Sequence, residues 1–231
     1  MSEPQSRSYE DLFYQSEDSL TLYARDYPAP SADAQCVLLM HGLSRNSRDF
    51  EVLADHLSTH YRVLVAEQRG RGKSEWDSDP TRYAIPHYVR DMFALLQAAN
   101  VSRVATVGTS MGGLMAMVMN SAMPGVFSHV VLNDIGPELC DEGLNRIKGY
   151  VGQGEPVTTW TEAVAYNRRI NKVAFPTLSD EGWEQFARQI FKEIEGVPVL
   201  DYDPRISEAV NAEDSDAVPP DLWPAFDLLA Q

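Results

Sequence analysis

Hydrophobic positions change their spacing several times along the chain, and each change marks an element. Apolar and polar residues alternate around Leu12–Gln15 and Leu20–Arg25, with the polar turn Ser16-Glu17-Asp18-Ser19 between them, which predicts an antiparallel pair. Gln35–Met40 is instead an unbroken apolar run, as expected of a strand covered on both faces. Tyr61–Ala66, Arg103–Val107 and His129–Asn133 read the same way. Between these runs the spacing becomes helical: from about Arg48 to Thr59, over Tyr88–Ala99 with Val89, Met92, Leu95 and Leu96 on one face, and over Met111–Met123. Strands alternating with helices predict an α/β fold, a mostly parallel sheet with helices on both faces.

After Pro137 the alternation stops. Gly143–Val151, Thr159–Val173 and Ser179–Ile194 have helical spacing with no buried strand between them. Trp160, Tyr166, Trp183 and Phe186 stand among charges there, which suits small amphipathic elements over a pocket. Val197–Tyr202 reads as one short extended piece, Asn211–Pro220 as a loop, and Pro220–Ala230 as the start of another helix. The expected division is a core over 1–137, a helical cap over 138–217, and the start of a return to the core over 218–231.

Composition narrows the function classes. The 231 residues carry 19 Lys and Arg against 34 Asp and Glu, a net charge of −15 that repels nucleic acid and anionic lipid. Neither a nucleic acid nor a membrane is expected as a partner. Two cysteines make no disulfide framework and the histidine spacing no zinc site, so neither metal nor cofactor is expected. The polar start MSEPQSRSYED has no signal-peptide pattern, and the expected setting is the cytoplasm.

Gly108-Thr109-Ser110-Met111-Gly112 fits G-x-S-x-G, and its context is specific: an apolar strand before it, an apolar helix after. A sharp strand-to-helix turn lifts a serine Oγ clear of the backbone, and the helix N-terminus aims N–H groups and a positive dipole end at it. A tight glycine turn needed only for packing would carry the same letters. His41-Gly42-Leu43-Ser44 also ends an apolar run, so the N–H of Leu43 and that of Met111 are the candidate donors of an oxyanion hole. His41 itself is expected to hold that loop rather than to act as a base.

The ordered set His41-Gly42, Arg69-Gly70-Arg71-Gly72-Lys73-Ser74, Gly108-to-Gly112 and Asn133-Asp134-Ile135-Gly136-Pro137 resembles the α/β-hydrolase superfamily over about residues 10–137. Its esterase, lactonase and carbon–carbon-bond hydrolase branches are the most similar. The resemblance implies an eight-stranded, mostly parallel sheet and a nucleophile–acid–histidine triad in that chain order. Glu67 stands where relatives commonly have Asp, with little effect expected. Gly72-Lys73-Ser74 imitates the end of a phosphate-binding loop, but position 67, where the first glycine should be, is Glu67. Arg69, Arg71 and Lys73 read as a solvated loop.

The serine needs an imidazole to take its proton. His41 precedes Ser110 on the oxyanion loop, His56 and His60 belong to the first helix or its end, His87 begins the second, and His129 starts a strand; none fits the base. The resemblance implies a histidine after the last strand, whereas the sequence ends at Gln231, so two strands, the usual acid and the histidine are expected to be absent. Asp134 is a candidate acid, with capping of its own loop as the alternative role. The expected function is a serine hydrolase that cleaves a small ester or lactone through an acyl-enzyme on Ser110, active only when the missing segment is supplied. Its partners would be a small acyl substrate and either a separate C-terminal fragment or a second copy. The alternatives are carbon–carbon hydrolysis or peroxyacid formation on the same fold, and a truncated, non-catalytic binding protein.

Overall fold

The computed structural model describes residues 8–153, 156–211 and 221–230. Six strands form the main sheet: β1 (Glu10–Gln15), β2 (Thr21–Tyr27), β3 (Cys36–Met40), β4 (Arg62–Glu67), β5 (Val104–Thr109) and β6 (Phe127–Asn133). Their spatial order is β1-β2-β4-β3-β5-β6. β1 and β2 are an antiparallel pair joined antiparallel to β4, and the β4/β3, β3/β5 and β5/β6 pairs are parallel.

The apolar runs of β3 and β4 follow from helices on both faces. Leu38, Met40, Leu64 and Ala66 pack towards α2 (Ile85–Ala98) and α3 (Met111–Ala122). Val37, Leu39, Val63 and Val65 point the other way, onto Phe50 and Ala54 of the first helical segment. That segment opens as a 3₁₀ turn over Ser47–Phe50, capped by the Asn46 side chain, before α1 (Glu51–Leu57) begins. α2 starts at Ile85, ahead of the expected Tyr88, because Pro86 suits a first helical turn. β6 is the outermost strand and is only half covered: Val130 and Leu132 pack on the core, whereas Val131 is 54% exposed. The described residues add no strand to the sheet beyond it.

After β6 come α4 (Asp141–Lys148), α5 (Trp160–Asn171) and α6 (Asp180–Ile190). A reciprocal Thr159–Glu162 capping box starts α5, and the Ser179 hydroxyl caps α6. The expected helix over Ser179–Ile194 is shorter than its pattern. It stops at Ile190, and β7 (Phe191–Ile194) pairs antiparallel with β8 (Val197–Leu200). The cause is the Glu195-Gly196 turn, where both residues take positive φ (51° and 81°), the geometry of a two-residue hairpin. α7 (Ile206–Asn211) follows; the expected loop over Asn211–Pro220 lies, apart from Asn211, outside the described residues. α8 (Trp223–Asp227) and a final 3₁₀ turn sit on α3, where the Asn120 side chain donates to the Leu228 carbonyl at 2.9 Å.

Between β8 and α7 the chain is laced to the core. Tyr202 bridges to Arg71, Gly72 N–H donates to Asp201 O (3.1 Å) and Asp203 N–H to Gly70 O (2.8 Å).

Candidate active site

Ser110 sits between the end of β5 and the start of α3 with φ 51° and ψ −114°, a conformation that costs a non-glycine residue about 1–3 kcal/mol. The surroundings leave it no alternative. Ser110 N–H is held by Asn133 O at 3.0 Å, and Ser110 O takes the N–H groups of Gly113 (2.8 Å) and Leu114 (3.2 Å). The flanking glycines are dictated by close approach. A Cβ on Gly108 would stand 2.4 Å from Gly112 O, and one on Gly112 would stand 2.1 Å from Met40 O. This close packing requires glycine at both positions, and the turn they permit carries Ser110 at its apex.

The loop 41–44 lies against this turn. A Cβ on Gly42 would lie 3.7 Å from Ser110 Cβ, an ordinary contact that puts Leu43 beside the serine. Neither Leu43 N–H nor Met111 N–H, the latter at the first position of α3, meets an acceptor among the described residues. His41 Nδ1 donates to Gly42 O (2.7 Å), while Nε2 accepts the Gln68 N–H (3.2 Å). Both ring nitrogens are thereby occupied, and burial pushes the imidazole down to about 3. His41 is a neutral brace of the loop.

Ser110 opens into a cavity of about 220 Å³ lined by Leu43, Tyr83, Ile85, Tyr88, Met111 and Leu114 from the core side and by Leu144, Ile147, Lys148 and Val210 from α4 and α7. Most of these were not singled out from the sequence; the apolar face of α4 was the available signal. Trp160 and Trp183 are not among the lining residues. Trp160 donates to Glu193 and is covered by Arg188, and Trp183 is buried against Phe186.

Asp134 directly follows Asn133, whose register partner is Thr109, so it stands one strand across from Ser110. It has a positive φ of 56°, its side chain is exposed, and it meets no hydrogen-bond partner among the described residues. The other histidines lie elsewhere: His56 and His60 at α1, His87 on α2, and His129 opposite Ala105, towards the amino end of β6. All five histidines of the sequence are described, and His41 is the one beside Ser110.

The two arginines of the basic stretch 69–73 correct the expectation of a solvated loop, whereas Lys73 is exposed as expected. Arg69 is 1% exposed and Arg71 fully buried. Arg69 forms bidentate pairs with Asp91 (2.7 and 2.6 Å) and Asp18 (2.8 and 3.0 Å) and a further bond to Asp77 (2.7 Å). Burial raises the Asp91 carboxyl to about 6 against the pull of Arg69, and its charged form persists at neutral pH. Glu67 accepts from Ser47 Oγ (2.6 Å) and Lys73 N–H (2.6 Å) and fills the space beside Gly72, where a Cβ would lie 2.0 Å from its carboxylate.

A family model for the alpha/beta hydrolase fold matches residues 35–175. The chain is 33% identical over 205 residues to the 3-hydroxybutyrate-oligomer hydrolase of Cupriavidus necator, covering 86% of this chain and 70% of that protein. It is 31% identical to a serine hydrolase-like protein of Danio rerio, of whose length it spans 56%. Among solved structures, an alpha/beta hydrolase from Novosphingobium aromaticivorans superposes with a TM-score of 0.91 at 39% identity, over 98% of this chain and 79% of that one.

Proposed function

We propose that this chain, which belongs to the alpha/beta hydrolase fold family, is a serine hydrolase whose Ser110 attacks a small carboxylic ester, open or cyclic. One observation carries the reading: a strained serine at the mouth of an apolar cavity, with two unengaged backbone N–H groups beside it. Attack of Oγ on the ester carbonyl forms a C–O bond and moves the π pair onto oxygen. The N–H groups of Leu43 and Met111 would receive that oxyanion, each worth about 3–4 kcal/mol. Collapse expels the alcohol and leaves an acyl-enzyme, which water then releases.

The cavity of about 220 Å³ is smaller than the roughly 300 Å³ at which drug-sized pockets begin, which favours a short acyl chain. The hydroxybutyrate unit in the name of the Cupriavidus necator relative is of that size class. Asp134 is exposed and stands one strand across from Ser110, and both ring nitrogens of His41 are engaged. On this reading the proton acceptor is an imidazole that none of the five histidines here provides. The 231 residues alone should turn esters over about six orders of magnitude more slowly than the same chain supplied with a histidine-bearing C-terminal segment. Steady-state assays of both forms check this, and rates within a hundredfold of each other would refute it.

The function is tested by acid-quenching the chain, supplied with that segment, during turnover of p-nitrophenyl butyrate and measuring intact and peptide mass. One acyl group should appear on the peptide that contains Ser110 and be missing in Ser110→Ala. Undiminished turnover by Ser110→Ala would reject the nucleophile.

A further inference from the structure

Arg71 is a buried cation whose contacts go to neutral groups. Its Nε donates to Leu43 O (2.9 Å), its Nη1 to Arg69 O (2.7 Å) and Tyr88 OH (2.8 Å), and its Nη2 lies 3.9 Å from Met111 Sδ. The guanidinium also stands over the Tyr88 ring at 4.8 Å. The nearby carboxylates are committed elsewhere: Asp18, Asp77 and Asp91 to Arg69, Glu67 to Ser47 and Lys73, and Asp203 to Tyr83 and Arg205. A buried charge without a counter-ion is costly, and an apolar side chain of similar size would remove that cost. What the charge does touch is specific. It contacts both residues whose N–H groups flank Ser110.

We propose that Arg71 is the positioning residue of the oxyanion hole. The inference rests on Ser110 being the nucleophile. Leu43 O belongs to the peptide bond that follows Leu43, so anchoring it fixes the Leu43 backbone and the direction of its N–H. The same guanidinium presses on Met111 at the start of α3. Arg71 does not line the cavity and stands behind residues that do, so it acts through them. Its charge, in a site shielded from water, also supplies positive potential where the oxyanion forms. A hole held in this way needs no reorganisation when the C–O bond forms and the π pair moves onto oxygen.

The experiment is a fluorophosphonate labelling series on the chain supplied with a histidine-bearing C-terminal segment, reading the end-point stoichiometry, the KI and the kinact of each variant. Stoichiometry counts correctly folded sites, KI reports binding of the uncharged reagent, and kinact reports the step that places negative charge in the hole. Arg71→Met is expected to lower kinact about 30- to 100-fold, with KI and stoichiometry within twofold of the parent. Arg71→Lys, which keeps the charge but not the fork, should fall between, about tenfold down. If Arg71→Met does not fold, Arg71→Lys decides: a parental kinact at full stoichiometry overturns the proposal. Loss of end-point labelling and of a cooperative melt in both variants marks a purely structural role and also overturns it. Ser110→Ala that labels at the parent rate instead refutes the nucleophile assignment, a different failure from either of these.

Discussion

Single atoms decide the geometry of the elbow. With a Cβ on Gly112 only 2.1 Å from Met40 O, Gly112→Ala must push β3 and α3 apart, and neither backbone can swing away as a side chain could. A loss of about 3 kcal/mol is expected, the upper part of the range for overpacking, visible as a lowered urea midpoint. His41 makes a second prediction. Its folded value is about 3 and its unfolded value about 6.5, so between these the unfolded chain binds the extra proton. The contribution of His41 to stability is therefore lost as pH falls through that window, by up to about 1.4 kcal/mol per pH unit. His41→Asn should melt lower than the parent at pH about 7.5, and the gap should narrow by pH about 5. A gap that stays constant would show that His41 is not held neutral. The turn that carries Ser110 and its glycines could be read from letters because strand, five-residue motif and helix follow one another without a break. The burial of Arg69 could not, since Asp18 and Asp91 lie 51 and 22 positions away and charged residues are usually solvated.

At the scale of elements, the parallel core was legible because a strand with helices on both faces leaves a continuous apolar run. The β7–β8 hairpin was not. Trp183, Ala187, Ile190, Phe191 and Ile194 continue helical spacing through Ile194, and only the Glu195-Gly196 turn contradicts it. The tryptophans on the amphipathic helices suggested contact with the pocket, yet Trp160 and Trp183 pack among the helices themselves, and the residues of the expected cap that line the cavity belong to α4 and α7. Ile147→Trp should fill cavity space and shift the ratio of kcat/KM for hexanoyl against acetyl p-nitrophenyl esters at least about tenfold towards acetyl, measured with the histidine-bearing segment supplied. Trp183→Ala should cost about 3–5 kcal/mol of stability and leave that ratio unchanged. A reversed pattern would return the lid to the tryptophans.

Across the whole molecule, Arg69 joins the β1–β2 turn through Asp18, the loop after β4 through Asp77, and α2 through Asp91. Arg69→Met would leave the buried Asp91 without its cation and Asp77 with Arg82 alone, at 3.7 Å, at a cost of about 3–5 kcal/mol. The sign of the pH effect follows from Asp91, whose folded value, already about 6, would rise further once Arg69 is gone. Acidification from pH about 7.5 to 5.5 should then recover part of the loss, as read from urea midpoints at the two values; a deficit that grows on acidification would contradict this assignment. The lacing of Asp201–Asp203 to Gly70–Gly72 bears on how such a protein can diversify. The chain leaves the sheet after Asn133 and is fastened back beside Arg71, at the edge of the site, so everything between is a detour with both ends anchored. Doubling the length of a flexible detour adds only about 0.6 kcal/mol of closure entropy. Changes of length in the connections between those helices therefore alter the closure entropy little, so the stretch can vary in length while both anchors keep their places.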